Sequence, residues 1–98
     1  MVVHVVLMRL RAGVSAVELD RLAERVLNLA ESIAGKDSCM IGPNVTEEPL
    51  SQEYEFGFVV RFETREALAA YHADPAHEGV SHAIQDLTQT VLVFDVDS

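Results

Sequence analysis

The sequence is poor in several residue types that particular functions require. It has no tryptophan, a single cysteine and only seven lysine and arginine residues against sixteen aspartate and glutamate residues, which gives a net charge of −9. A nucleic-acid-binding surface must neutralise phosphates with basic side chains, and anionic membranes attract the same groups. The shortage of basic residues therefore argues against both nucleic acid and membrane surfaces as partners.

Long apolar runs are also missing, since no stretch reaches the roughly 18 uninterrupted apolar residues of a membrane-spanning helix. The lone Cys39 cannot form an internal disulfide, and the apolar N-terminal segment lacks the basic start and cleavage site of a signal peptide. We therefore expect a cytoplasmic protein. There is no glycine-rich phosphate loop and no established metal-ligand spacing, so we expect no cofactor and no metal.

The length of 98 residues suits one domain, and we expect residues 1–98 to form it. The spacing of hydrophobic residues predicts the order of the elements along the chain. Strands are predicted at 2–11, 38–47, 54–63 and 90–97, and helices at 16–34, 65–73 and 76–87. This βαββα(α)β order is typical of an α+β, ferredoxin-like protomer with an antiparallel sheet.

The predicted sheet has two apolar faces, and three helices can cover only one of them. Side-chain bulk assigns one set of alternating residues to the helices: His4, Val6, Met8, Leu10, Phe56, Phe58, Phe62, Leu92, Phe94 and Val96. The second face then carries Val3, Val5, Leu7, Val59, Val91, Val93 and, at its margin, Asp95. Monomers rarely expose so much apolar surface, so we expect a homodimer through the sheet faces. The alternative is a monomer with an apolar open face.

Titratable residues are densest from Tyr71 to Glu78, where one predicted helix ends and the next begins. Tyr71 is predicted to point inward, His77 lies just beyond the Asp-Pro corner, and His4 lies on the helix-covered face of the sheet. We expect these three side chains to converge on a cavity. Imidazole exchanges protons near neutral pH and a phenol can donate a hydrogen bond to an enolate-like oxygen. The group therefore suits cofactor-free removal of a proton next to a carbonyl.

The same three residues also fit purely structural roles. A buried tyrosine near a helix end is commonly a core residue with its hydroxyl bonded to the backbone, and a histidine after Asp-Pro commonly caps a helix. A histidine within a strand is commonly a hydrogen-bonded core residue. The neighbouring His72 is expected to face solvent.

Short motifs throughout the chain resemble the stress-responsive A/B-barrel (Dabb) family. They are residues 4–10 (HVVLMRL), 42–46 (GPNVT), 62–68 (FETREAL), 71–77 (Tyr71-x-x-Asp74-Pro75-x-His77) and 93–95 (VFD). The resemblance implies ferredoxin-like protomers that pair through their sheets into a dimeric α/β barrel. That arrangement agrees with the homodimer expected from the two apolar faces.

The family includes olivetolic acid cyclase, a polyketide cyclase that works without a cofactor. By resemblance, His77 would be the general base, Tyr71 would orient or stabilise the carbonyl oxygen, and His4 would line the same pocket. Phe56 and Val26 stand where that cyclase has a histidine and a tyrosine, which implies a more apolar pocket. The expected lining for a small apolar carbonyl ligand is His4, Phe56, Phe58, Val26 and Leu92.

The family also contains plant stress proteins, so the resemblance leaves two functions open. One is a cofactor-independent enzyme with cyclase-like or lyase-like acid/base chemistry. The other is a non-catalytic stress-response or assembly protein that has no substrate and whose interior is only packed core.

Overall fold

The computed structural model describes residues 1–98 as four strands and three helices. In chain order these are β1 (Val2–Leu10), α1 (Ala16–Ala34), β2 (Cys39–Pro43), β3 (Phe56–Phe62), α2 (Arg65–Ala73), α3 (Pro75–Leu87) and β4 (Thr88–Asp97). The strands form one antiparallel sheet in the order β2-β3-β1-β4. The helices pack against one side of it, so the predicted α+β, ferredoxin-like fold is confirmed.

Local capping residues explain why the first two helices begin where the sequence predicts. The hydroxyl of Ser15 accepts a hydrogen bond from the Glu18 amide (3.2 Å), and the Glu18 carboxylate accepts one from the Ser15 amide (3.0 Å). This reciprocal pair satisfies two amides that the first turn of a helix leaves unpaired. Thr64 caps α2 with a single bond, in which its hydroxyl accepts from the Ala67 amide (3.1 Å). No helix is long and apolar enough to cross a membrane.

The second strand is shorter than predicted, because it ends at Pro43 rather than at residue 47. The side chain of Asn44 accepts a hydrogen bond from the Thr46 amide (2.8 Å) and donates one to the Tyr54 carbonyl (2.8 Å). These bonds turn the chain away from the sheet, since an asparagine side chain can replace the ladder partner of a neighbouring amide. The result is an irregular connection from residue 44 to residue 55.

We call the side of the sheet that packs against the helices the covered face, and the other side the open face. On β1 the covered residues Val2, His4, Val6 and Met8 are buried, whereas the open-face residues between them are half-buried. The aromatic residues Phe56, Phe58 and Phe62 of β3 are also buried on the covered face. The hydrophobic core therefore lies between the covered face and the helices.

The faces of β4 are the reverse of those predicted from side-chain bulk, and the strand contains a bulge at its start. Thr88 pairs with Leu10 and Thr90 pairs with Arg9, so Gln89 is an extra residue without a partner in β1. One extra residue reverses which side chains point to which face of a sheet. Val91, Val93 and Asp95 consequently lie on the covered face, opposite Met8, Val6 and His4, although the helices leave Val91 and Val93 37% and 56% exposed there. Leu92, Phe94 and Val96 lie on the open face, opposite Leu7, Val5 and Val3.

Candidate active site

The Asp-Pro corner between α2 and α3 brings two functional side chains together. Asp74 ends α2 in an extended conformation (φ −65°, ψ 133°), which is the conformation favoured before a proline. Its carboxylate accepts a hydrogen bond from the Ala76 amide (2.9 Å), and its carbonyl accepts one from the His77 amide (2.9 Å). Tyr71 in the last turn of α2 and His77 in the first turn of α3 then face each other, with ring centroids 5.1 Å apart.

These rings lie beside a cavity of about 240 Å³ between the covered face and helices α2 and α3. Its polar lining consists of His4, Tyr71, His72, His77, Ser81 and Gln85. Aliphatic and aromatic side chains, among them Phe58, Val91 and Val93, form the remainder. The structure thus brings together four residues that the sequence analysis placed around one pocket: His4, Phe58, Tyr71 and His77.

The other three residues expected in the pocket lie elsewhere. Val26 of α1 and Phe56 of β3 are buried in the core and do not line this cavity. Leu92 was expected on the covered face, but the bulge at Gln89 places it on the open face. Its placement in the pocket is therefore wrong, and Val91 and Val93 occupy that part of the wall instead.

Asp95 is the partner of His4 inside the site. The two Cα atoms are paired across β1 and β4, and Nδ1 of His4 is 2.6 Å from Oδ1 of Asp95. Asp95 was expected on the open face, at the margin of a dimer interface, but it lies on the covered face opposite His4. Only its position in the closing VFD motif of the family pointed to it.

The hydrogen bond to Asp95 determines which nitrogen of His4 can act in the cavity. In neutral His4 the Nδ1–H group donates to the carboxylate, so Nε2 carries the lone pair. Nε2 has no hydrogen-bond partner in the protein. The Oγ atom of Ser38 is the only fully buried side-chain nitrogen or oxygen that lacks a partner, so Nε2 of His4 must be accessible. A proton acceptor therefore opens into the cavity.

The hydroxyl of Tyr71 is also free. The ring is buried and packs against Phe62 (5.3 Å between centroids), but its oxygen makes no hydrogen bond within the protein and is not enclosed. Burial, with a smaller contribution from Cys39, raises the pKa of Tyr71 to about 12. The phenol therefore keeps its proton at neutral pH. This geometry differs from the structural alternative, in which the hydroxyl would be bonded to the backbone.

His72 is a member of the cluster that the sequence analysis missed. It is exposed, as expected, but its ring centroid lies 5.3 Å from that of His4 and 5.1 Å from that of His77. Burial lowers the pKa of His72, as does His4, while Asp95 acts in the opposite direction. Burial also lowers the pKa of His77, followed in effect by His72 and His4. Both imidazoles are therefore neutral near pH 7 and able to accept protons.

The charge of the lining restricts what the cavity can bind. No lysine or arginine lines it, so nothing is available to neutralise a phosphate or carboxylate. No group of three or more histidine, cysteine, aspartate or glutamate side chains is arranged to hold a metal ion. The arrangement offers a proton donor (Tyr71) and proton acceptors (His4, His72 and His77) to an uncharged ligand.

Comparison with known proteins identifies the family to which the chain belongs. The Stress responsive A/B Barrel Domain (Dabb) family matches residues 2–98, and the chain belongs to that family. It is 34% identical over 92 residues to the stress-response A/B barrel domain-containing protein HS1 of Arabidopsis thaliana. That match covers 94% of this chain and 84% of HS1.

Two solved structures with lower identity show the same fold. One is a dimeric ferredoxin-like protein from Jannaschia sp. CCS1, with a TM-score of 0.88 and 23% identity over 99% of this chain and 98% of that one. The other is the hydroxynitrile lyase of Passiflora edulis, with a TM-score of 0.82 and 15% identity over 97% of this chain and 90% of the lyase. The fold is therefore shared both by a dimeric protein and by an enzyme.

Proposed function

We propose that the protein is a homodimeric, cofactor-independent enzyme that moves protons on a small, uncharged carbonyl compound. The observation that carries this proposal is the set of unoccupied polar atoms around one cavity: the Tyr71 hydroxyl, Nε2 of His4 and the His77 ring. These atoms are not enclosed, and a polar group at a cavity that lacks a partner in the protein bonds to water or to a ligand. Groups that remain free beside a cavity are available to a ligand.

In the proposed reaction His77 is the general base, as the family resemblance implied. It takes a proton from the carbon next to the carbonyl, and the electron pair of that C–H bond moves onto the carbonyl oxygen. Tyr71 donates a hydrogen bond to this oxygen and stabilises the negative charge that develops there. His4, held by Asp95, presents a second acceptor that orients the ligand. The enolate is then reprotonated or attacks a second carbonyl, as in a cyclase.

The size of the cavity limits the substrate. Its volume of about 240 Å³ lies below the roughly 300–1,000 Å³ of sites for drug-sized ligands. Val91, Val93 and Phe58 provide apolar contact from the sheet, while the polar groups come from α2, α3 and His4 of β1. A compact carbonyl compound with one apolar side fits this distribution.

Dimerisation through the open face is part of the proposal. In one protomer Leu92, Phe94 and Val96 are 39%, 59% and 42% exposed, although all three are apolar. The half-buried residues Val3 and Val5 continue the same surface. Contact with a second copy would remove this surface from water. The similar protein from Jannaschia is dimeric, which supports the same assembly here.

We also propose a cytoplasmic location for the protein. Burial, together with the carboxylate of Glu31, raises the pKa of Cys39 to about 11 and keeps the buried thiol protonated. Such a thiol is unreactive and requires no oxidising compartment.

The second candidate is a non-catalytic stress-response or assembly protein. Its support is the 34% identity to HS1, a stress-response A/B barrel domain-containing protein. On this hypothesis the cavity is a packing defect beside the Asp-Pro corner, and the dimer is the functional unit.

Exchange of carbon-bound hydrogen for deuterium distinguishes the two functions. A set of small ketones, such as butanone, cyclohexanone and acetophenone, is incubated with the protein in heavy water and followed by proton NMR. We expect exchange faster than in buffer for at least one ketone, and a loss of about 100-fold or more in His77→Ala, the range typical of removing a general base. His82→Ala, which alters an exposed histidine on α3 outside the cavity, is the matched control.

Two outcomes would contradict the proposed enzyme. Wild-type protein that accelerates exchange of none of the ketones would favour the non-catalytic function. A His77→Ala variant that unfolds would show that His77 is structural, and circular dichroism is the check for this.

A further inference from the structure

His72 has no part in the reaction proposed above, although its ring lies close to three other rings of the cluster. Its ring is 5.3 Å from His4, 5.6 Å from Tyr71 and 5.1 Å from His77, measured between centroids. It is exposed, whereas His4 and Tyr71 are buried and His77 is half-buried. His72 is therefore the most exposed of these four side chains.

The surroundings of His72 leave it free to move and to exchange protons. Neither of its nitrogens makes a hydrogen bond within the protein, and it forms no ion pair. The titratable groups that face it are His4 from β1, Asp95 from β4, Tyr71 from its own helix and His77 from α3. No lysine or arginine lines the cavity to repel a positive charge on it.

A base in a small cavity must return the proton that it accepts before it can act again. His77 is half-buried, and a bound ligand would further separate its ring from bulk water. Imidazole is suited to transfer at this point, because it can accept a proton on one nitrogen and release one from the other. Ring centroids 5.1 Å apart allow transfer after rotation of one ring or through one bridging water.

We propose that His72 is a proton-relay residue that connects His77 with water; the proposal rests on the acid/base function proposed above. The proton that leaves the substrate carbon passes to His77 and then to one nitrogen of His72. His72 releases a proton from its other nitrogen to water. Reprotonation of the enolate carbon takes a proton from water back through His72 and His77, so each group regains its starting state.

The first test uses the ketone exchange reaction with His72→Gln, in which a side chain of similar polarity cannot carry a proton through a ring. We expect kcat to fall about tenfold, less than for loss of the base itself, with KM unchanged. Imidazole added to the buffer should restore kcat in His72→Ala, because the site is at an exposed mouth. His82→Gln should change neither parameter. The relay is overturned if His72→Gln has the kcat of wild type. It is also overturned if imidazole does not raise the kcat of His72→Ala.

The second test needs no substrate and therefore separates this proposal from the proposed function. NMR of the histidine ring nitrogens measures how fast the His77 ring exchanges its proton with water. We expect this rate to fall in His72→Gln and to remain unchanged in His82→Gln. If no ketone is exchanged but the rate falls, the proposed function is wrong and the relay stands. If ketones are exchanged and the rate is the same in both variants, the enzyme stands and the relay is wrong.

Discussion

The two faces of the sheet are built from the same strands but have opposite characters. On the covered face of β1 and β4, His4 and Asp95 form a hydrogen-bonded pair beside the Tyr71 ring. On the open face the same two strands present Val5 and Phe94 to each other, with no polar group between them. Successive side chains of a strand point to opposite faces, so chemistry and association can be separated within one four-stranded sheet.

The bulge at Gln89 determines which residues of β4 serve which face. A regular strand continued from Thr88 would place Phe94 against the helices and Asp95 on the open face. The extra residue reverses this arrangement and completes both surfaces together. A carboxylate reaches the site, and a phenylalanine reaches the surface proposed for dimerisation.

The largest expected effect comes from changing the number of residues at this bulge. Deletion of Gln89 alone removes the extra residue and leaves every later residue on its present face, so we expect folding and the dimer to persist. Deletion of Gln89 and Thr90 together exchanges the two faces of β4, which buries Phe94 at the site and exposes Asp95 to the interface. We expect that variant to lose most of its free energy of unfolding, which is roughly 5–15 kcal/mol in a typical domain. Thermal unfolding followed by circular dichroism compares them, and equal stability of the two deletions would contradict the assigned faces.

The next effect concerns the open face alone. Phe94→Asp places a charge on a side chain that is 59% exposed in the protomer, so the protomer itself should fold. In the dimer the charge would be buried without a partner, at a cost of about 3 kcal/mol or more, which raises the dissociation constant more than about 100-fold. Analytical ultracentrifugation measures this constant. Val45→Asp, on an exposed loop residue, is the control and should leave it unchanged. An unchanged constant for Phe94→Asp would show that the interface lies elsewhere.

The covered face should make the protein sensitive to alkaline pH through Tyr71. Its pKa of about 12 in the folded protein exceeds the ordinary value of 10. The stability that this group contributes is therefore complete below pH 10 and is lost as the pH rises toward 12. Urea unfolding at several pH values measures the free energy of unfolding across this interval. We expect its decrease to be smaller in Tyr71→Phe than in wild type, by on the order of 2 kcal/mol. Parallel curves for the two proteins would contradict the burial of the phenol.

The smallest expected effect is a difference in stability loss between two carboxylates, Asp95 on the covered face and Asp97 at the surface. Asp95→Asn weakens the bond to His4 and should cost about 1 kcal/mol, since the Asp95 side chain is 39% exposed and solvent screens the charge. That loss corresponds to a decrease of roughly 4–8 °C in Tm for a domain of this size. Asp97→Asn removes an exposed pair with Arg65 and should change stability by less than about 0.5 kcal/mol. Equal losses of stability would show that the His4–Asp95 pair contributes no more than the exposed Arg65–Asp97 pair.

Most of the fold could be predicted because its signals are local. The capping residues Ser15 and Thr64 fix helix starts within a few residues, and the Asp-Pro corner fixes the junction of α2 and α3. The same locality explains why Tyr71 and His77 could be placed near each other. Their separation is determined by the short segment from Tyr71 to His77, which contains one proline.

The rest of the site depends on pairing between distant parts of the chain. Asp95 lies 91 residues from His4, and the bulge that aligns them results from the pairing of β4 with β1 rather than from any residue type. Side-chain bulk favoured the opposite faces for β4 and therefore misplaced Leu92. His72 could not be recognised because exposure alone does not show what a side chain contacts.

Tyr71→Phe in the ketone exchange reaction tests the central claim most directly, namely that the covered face holds an acid/base site rather than packed core. The substitution removes one oxygen atom that makes no hydrogen bond within the protein. We predict that Tm at neutral pH and dimerisation stay at the wild-type values while the exchange rate falls about 100-fold. An unchanged exchange rate, or a large loss of stability at neutral pH, would contradict the account and make Tyr71 a residue of the core.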